Sequence, residues 1–143
     1  MQVTCLGSNG HPRSCACVQK LCCSHWEPLE RQRQAAKLPV VIHLHGNCGC
    51  RADVVEFLQE VLDNGMTLVA IDLSGSGMSE GEYISLGWHE HHEAHTLIQH
   101  LQRHRRVSTV HLWGRSMGAV TALMYAIAHP GAVSHCQARV RAR

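Results

Sequence analysis

Val110-His111-Leu112-Trp113-Gly114-Arg115-Ser116-Met117-Gly118-Ala119-Val120 is the stretch that decides how this chain is read. The run up to Trp113 has the character of a strand, and a helix is expected to open at Ser116. Between them the chain turns sharply, with a glycine two residues to either side of the serine. A strand–turn–helix of this spacing holds a serine hydroxyl at the top of a sheet. The backbone at the serine is strained, and strand and helix approach so closely that side chains beside it would collide. The helix start also aims backbone N–H groups at a developing negative charge. A lone Gly-x-Ser-x-Gly is a weak signal, so the surroundings must carry the reading.

Upstream, Pro39-Val40-Val41-Ile42-His43-Leu44 is a short apolar run, expected as a buried strand. A glycine-containing loop, His45-Gly46-Asn47-Cys48-Gly49-Cys50, follows it directly. Residues 51–64 are predicted helical, with Val54, Val55, Leu58, Val61 and Leu62 inward and Asn64-Gly65 closing the helix. Residues 66–73 form a second buried strand, and Ser74-Gly75-Ser76-Gly77-Met78-Ser79-Glu80-Gly81 a flexible loop. A long helix over 86–106 would turn Ala94, Leu97, Ile98 and Leu101 inward. The third strand covers 108–113. A helix over 116–129 follows, with Ala119, Val120, Leu123, Met124 and Ile127 as its apolar stripe and Pro130-Gly131 stopping it. Strands alternating with helices predict a parallel sheet with right-handed crossovers. Ligand sites in such sheets form at the carboxyl ends of the strands, where all three glycine-bearing loops converge.

The chemistry then falls on a few residues. Ser116 is the candidate nucleophile; its competing reading is a helix N-cap. The backbone N–H of Met117 is one candidate oxyanion donor, and that of Asn47 in the loop after the first apolar strand is the other, with Cys48 next. Asp72 ends its strand beside a Gly-Ser-Gly loop and is expected to bond loop amides rather than serve as a catalytic acid. The Gly75/Gly77/Gly81 loop has neither the Gly-x-Gly-x-x-Gly spacing nor the lysine of a phosphate-binding loop. His89-Glu90-His91-His92-Glu93-Ala94-His95 has the look of a metal site, but His92-Glu93-Ala94-His95 is one residue short of His-Glu-x-x-His. A polar helix face is the plainer alternative, and no cofactor or metal is assigned.

The 143 residues suit one small domain. A net charge of +2 gives no reason to expect nucleic acid or a charged membrane surface as partner. No run approaches the roughly 20 apolar residues of a spanning helix, and no secretory signal is recognised, so a cytoplasmic location is expected. The eight cysteines are then expected as free thiols rather than a disulfide framework.

Four blocks together resemble a known group: Cys23-Ser24-His25-Trp26-Glu27-Pro28, the strand and loop 38–47, residues 72–88, and residues 112–122. They resemble α/β-hydrolase-fold proteins of protists and algae, serine aminopeptidase-like or dienelactone-hydrolase-like, and more distantly the depalmitoylases of that superfamily. The resemblance implies a three-layer α/β-hydrolase fold with a mainly parallel sheet, of which only the N-terminal half is expected here. It divides the chain into an irregular cysteine-containing segment (1–20), a partial hydrolase domain (21–130) and a basic non-family tail (131–143). It implies a serine hydrolase acting on ester, thioester or amide bonds of a small-molecule or acyl substrate through an acyl-serine intermediate. The family order is serine, acid, histidine, with the acid and the histidine on later strands. Only His129 and His135 follow Ser116 among the histidines, so impaired catalysis is expected. The alternative is a non-catalytic fragment of the fold that binds a partner or does not fold independently.

Overall fold

The computed structural model describes residues 2–6, 18–29, 35–104 and 107–139, with backbone alone for 2–6, 18, 19 and 104. Six strands, β1 (Gln2–Leu6), β2 (Val18–Trp26), β3 (Leu38–Leu44), β4 (Thr67–Ile71), β5 (Val107–Arg115) and β6 (His135–Arg139), form one sheet in the order β1-β2-β4-β3-β5-β6. β3 runs parallel to both β4 and β5, and β6 runs parallel to β5. β2 is antiparallel to β1 and to β4. Three helices connect the parallel strands: α1 (Val55–Asp63) after a 3-10 turn over Arg51–Val54, α2 (Glu90–His104) and α3 (Met117–Ala128). The mainly parallel α/β sheet is thus the one expected.

The central strands are apolar on both faces, as strands covered by layers on both sides must be. Val40, Ile42 and Leu44 face α2 and α3 together with Val69, Ile71, Val110 and Leu112. Ala94, Leu97, Ile98 and Leu101 of α2 close that core, as their spacing predicted. On the other face Val54 and Val61, with half-buried Leu58, cover Leu68 and Ala70. No helix among the described residues is long and apolar enough to cross a membrane.

Several expectations need correction. The first 20 residues are not wholly irregular: β1 pairs with β2, which begins at Val18. The basic tail expected over 131–143 also holds a strand. Residues 135–139 form β6 in parallel register with β5, from His111↔His135 to Arg115↔Arg139. The strand escapes a sequence reading because four of its five side chains are exposed and Cys136 alone packs inward. α2 starts at Glu90 rather than 86, because Leu86 (φ 56) and Gly87 (φ 116) are left-handed. Residues 105 and 106, expected at its end, lie outside the described residues. Val55, expected inward, is exposed.

The largest correction concerns α3. Ala119 is buried as expected, but Val120, Leu123 and Ile127 are 42%, 47% and 78% exposed. The buried face is Met117, Gly118, Ala119, Thr121, Ala122 and Tyr125. The helix is apolar nearly all round, so period alone cannot choose its inner face. Small residues choose it. A Cβ on Gly118 would overlap the carbonyl of Leu44 on β3, and one on Gly114 would overlap the carbonyl of Gly118.

Two predictions follow from this packing. Gly118→Ala forces α3 off β3 and is expected to cost about 3 kcal/mol or more, read by denaturant unfolding. The second concerns His43, buried edge-on against Trp113 with ring centroids 5.2 Å apart. Burial and then the neighbouring His45 lower its pKa to about 4. The unfolded chain therefore takes up this proton first, and stability is lost as pH falls from about 6.5 toward 4, by about 3 kcal/mol for this group. Among the described residues His43 Nδ1 has no hydrogen-bond partner. His43→Phe is thus expected to keep stability at pH 7 and to flatten the acid limb in pH-dependent melts; an unchanged acid limb would count against this assignment.

Candidate active site

Ser116 sits between the last residue of β5 and the first of α3, with φ 52 and ψ −115. A non-glycine residue in this region is strained and is held there by its surroundings. Three contacts hold it. The carbonyl of Arg139 at the end of β6 accepts the Ser116 N–H at 3.0 Å. The Ser116 carbonyl takes the N–H groups of Ala119 (2.9 Å) and Val120 (3.1 Å), closing the first turn of α3. The glycines at 114 and 118 let strand and helix meet. The Ser116 side chain is left exposed at the carboxyl end of the sheet.

The loop after β3 lies against it. A Cβ on Gly46 would stand 3.7 Å from the Ser116 Cβ and 3.5 Å from the Arg115 carbonyl. Gly49 N–H donates to the Gly46 carbonyl at 2.9 Å, so residues 46–49 form a tight turn with Asn47 exposed at its second position. His45 fixes that turn from below. Its Nε2 accepts the Leu73 N–H at 3.0 Å, which leaves the hydrogen on Nδ1 to donate to the Gly46 carbonyl at 2.7 Å. Ser116, Met117 and Asn47 are thus brought to one corner of the molecule, although Asn47 lies far from the other two in sequence. The Met117 side chain is buried in the core.

Asp72 stands apart from this corner's chemistry. Its buried carboxylate accepts the Arg51 N–H at 2.7 Å and the Met78 N–H at 2.9 Å, and pairs with the Arg51 guanidinium. It bonds loop amides, as its position predicted, and ties the start of the 3-10 turn to the glycine loop. A Cβ on Gly77 would overlap this carboxylate.

The histidine-rich stretch also resolves into structure. Glu90 and Glu93 face inward, the opposite of a polar helix face. Glu93 accepts the Ser74 N–H at 3.0 Å and bonds the Ser74 hydroxyl, and burial holds its carboxyl above the usual range. Glu90 accepts the N–H groups of Ser85 (2.7 Å) and Gly87 (2.8 Å) and bonds the Ser85 hydroxyl. Burial pushes Glu90 up, but these hydrogen bonds outweigh it and leave the carboxyl below its usual range. The His95 ring stacks on His129 at 4.1 Å with planes 6° apart, and His91 lies 3.9 Å from His92. Parallel stacking does not converge ring lone pairs. Among the described residues no group of three or more His, Cys, Asp or Glu side chains is arranged to hold a metal ion. His135 sits on exposed β6, its ring 6.4 Å from His111.

Reading the sequence missed the Glu90 and Glu93 anchors, the Arg139 carbonyl and a cavity of about 300 Å³ beside the elbow, the sharp β5–Ser116–α3 turn, bordered by His43, Phe57, Trp113, Arg115 and Arg139. Neither glutamate carried a local signal: Ser85 lies five residues before Glu90, too far for a capping box.

The family described as serine aminopeptidase, S33, matches residues 35–138. Over 90 residues the chain is 32% identical to a proline iminopeptidase of Clostridium botulinum, covering 63% of this chain and 30% of that protein. It is 33% identical over 92 residues to the uncharacterized protein YqkD of Bacillus subtilis, covering 62% and 30%. Among solved structures it superposes on Est1E of Butyrivibrio proteoclasticus, solved with ferulic acid, with a TM-score of 0.73 at 19% identity over 82% of this chain and 47% of that one. The esterase Pf2001 of Pyrococcus furiosus gives 0.68 at 24% identity, over 85% and 46%. The chain therefore spans less than half the length of these relatives. A family match over residues 35–138, together with the sheet order and the strained serine between β5 and α3, places this chain in the serine aminopeptidase (S33) family of the α/β-hydrolase superfamily.

Proposed function

We propose that this chain carries the nucleophile half of a serine hydrolase acting on ester, thioester or amide bonds of small acyl substrates. The observation that carries the reading is the Ser116 backbone: left-handed, exposed, and packed against the Gly46–Asn47 turn. In this reading the Ser116 hydroxyl attacks the substrate carbonyl, forming a Ser116 Oγ–acyl bond as the leaving group departs with a proton. The oxygen of the tetrahedral intermediate is stabilised by the Met117 and Asn47 N–H groups, and the helix start adds to that field. Water then cleaves the acyl-serine bond and releases the acid.

A serine without a general base is a poor nucleophile, although an oxyanion hole alone retains some catalysis over water. Of the two histidines after Ser116, His129 is engaged in its stack with His95 and His135 belongs to β6. Asp72 is committed to Arg51 and Met78. In this reading the described residues supply the nucleophile and the oxyanion donors without an activating acid and base, and hydrolysis by them alone is slow.

A second reading is a hydrolase-fold module that binds rather than catalyses. It is favoured by the exposed apolar side of α3, Val120, Leu123 and Ile127, next to the edge strand β6. One experiment separates the two. An alkyl fluorophosphonate should label folded protein at Ser116, located by peptide mass spectrometry, and Ser116→Ala should abolish labelling. Folded protein that resists the probe contradicts the catalytic reading and leaves the binding one. Asn47→Pro, with Asn47→Ala as the control that removes the exposed side chain alone, tests the oxyanion assignment, since proline suits the second position of the 46–49 turn and removes the N–H. The labelling rate is expected to fall by about 10²-fold with the melting temperature preserved.

A further inference from the structure

We propose that Glu90 is a positioning residue of this site and that Leu86 and Trp88, which it presents, form an apolar rim for the acyl part of the substrate. The proposal rests on the serine-hydrolase reading and extends it to substrate class: acyl groups with an extended or aromatic apolar portion.

The argument begins with backbone strain. Leu86 has φ 56 and Gly87 φ 116, two consecutive left-handed residues, the first carrying a branched side chain. Such a pair persists only where its surroundings over-determine it. Glu90 is that surrounding. Its buried carboxylate takes the N–H of the residue before the pair, Ser85, at 2.7 Å and the N–H of Gly87 at 2.8 Å, while bonding the Ser85 hydroxyl. The Ser85 Oγ in turn receives the His89 N–H at 2.7 Å, in the turn that precedes α2. One carboxylate therefore brackets Leu86, the first residue of the strained pair.

The pinned segment is seated on the helix that Ser116 begins. A Cβ on Gly87 would lie 2.8 Å from Val120 Cγ1 and 3.3 Å from the Thr121 N. Val120 is one helical turn from Ser116, and its N–H bonds the Ser116 carbonyl. With Gly87 held down, the side chains to either side turn outward: Leu86 is 57% and Trp88 65% exposed, beside 42% exposed Val120. Both lie in the connection leaving the carboxyl end of β4, the end of the parallel sheet at which Ser116 also stands. Large apolar side chains held outward by a strained, charge-anchored backbone are not incidental surface. Their place beside the nucleophile helix fits the non-reacting part of an acyl substrate, whose remote contacts can be used for orientation.

The test compares labelling of the full chain by two fluorophosphonates, one with an ethyl and one with a long alkyl chain. The reported quantity is the ratio of their second-order rates. The wild type should prefer the long chain. Trp88→Ala, which leaves the Glu90 anchor intact, should cut that preference about tenfold, and Glu90→Gln, which keeps shape but removes charge, should lower it comparably. Glu90→Asp, which retains the charge on a shorter arm, should recover part of it. A merely structural role for Glu90 would slow both probes alike and leave the ratio untouched, and that result overturns the proposal. A ratio unchanged in Trp88→Ala overturns it as well, whatever the folding of the Glu90 variants. Labelling by neither probe overturns the serine-nucleophile reading and this one together, whereas labelling by both with an unaltered ratio overturns this one alone.

Discussion

The contact between α3 and the ends of β3 and β5 governs the rest of the molecule. At Gly118 the helix backbone rests against the Leu44 carbonyl, and at Gly114 the strand backbone meets the Gly118 carbonyl. No side chain fits at either position. This closeness fixes where α3 begins and forces Ser116 into its left-handed turn. It also brings the Gly46 turn against the serine. Packing density sets the direction of the effect: interiors this tight do not yield to an added methyl, so the helix is placed to within a fraction of a side chain.

Around that contact the charged groups act as fasteners. Asp72 joins the start of the 3-10 turn to the glycine loop, Glu93 holds Ser74, and Glu90 holds Ser85 and Gly87. All three carboxylates are buried, and each is met by backbone N–H donors. Burying a charge without such partners would be prohibitive. Here the charges give long irregular loops a defined shape at the end of the sheet where the site forms, and helices alone could not do that. The fold thus separates two tasks, with apolar layers setting the sheet and buried carboxylates setting the loops.

Much of this was legible in the residues. β3, β4 and β5 are continuous apolar runs, and α2's inner face has a clean helical period. The glycine spacing around Ser116 marks the elbow, and the loop carrying Asn47 follows from the strand before it. What was hidden had physical reasons. α3 is apolar on both sides, so its inner face was set by the small residues Gly118, Ala119 and Ala122 rather than by hydrophobicity. β6 has a single inward side chain and is made by pairing with β5, a long-range contact that leaves no local pattern. β1 likewise exists through its partner β2. Glu90 and Glu93 sit in a stretch whose histidines drew attention to metal chemistry, while the carboxylates bond loops that only the fold brings near.

The hydrogen bond from the Ser116 amide to the Arg139 carbonyl has a wider consequence. It fastens the most strained residue of the elbow to the outermost of the described strands, and the margins of a sheet open more readily than its core. The geometry of the serine is therefore only as steady as the rim of the sheet. Anything that lays a further strand along β6 would quiet the serine backbone without touching its side chain, and fraying of β6 would loosen it by the same route. The elbow thus works as a lever whose other arm is β6, the last of the described strands.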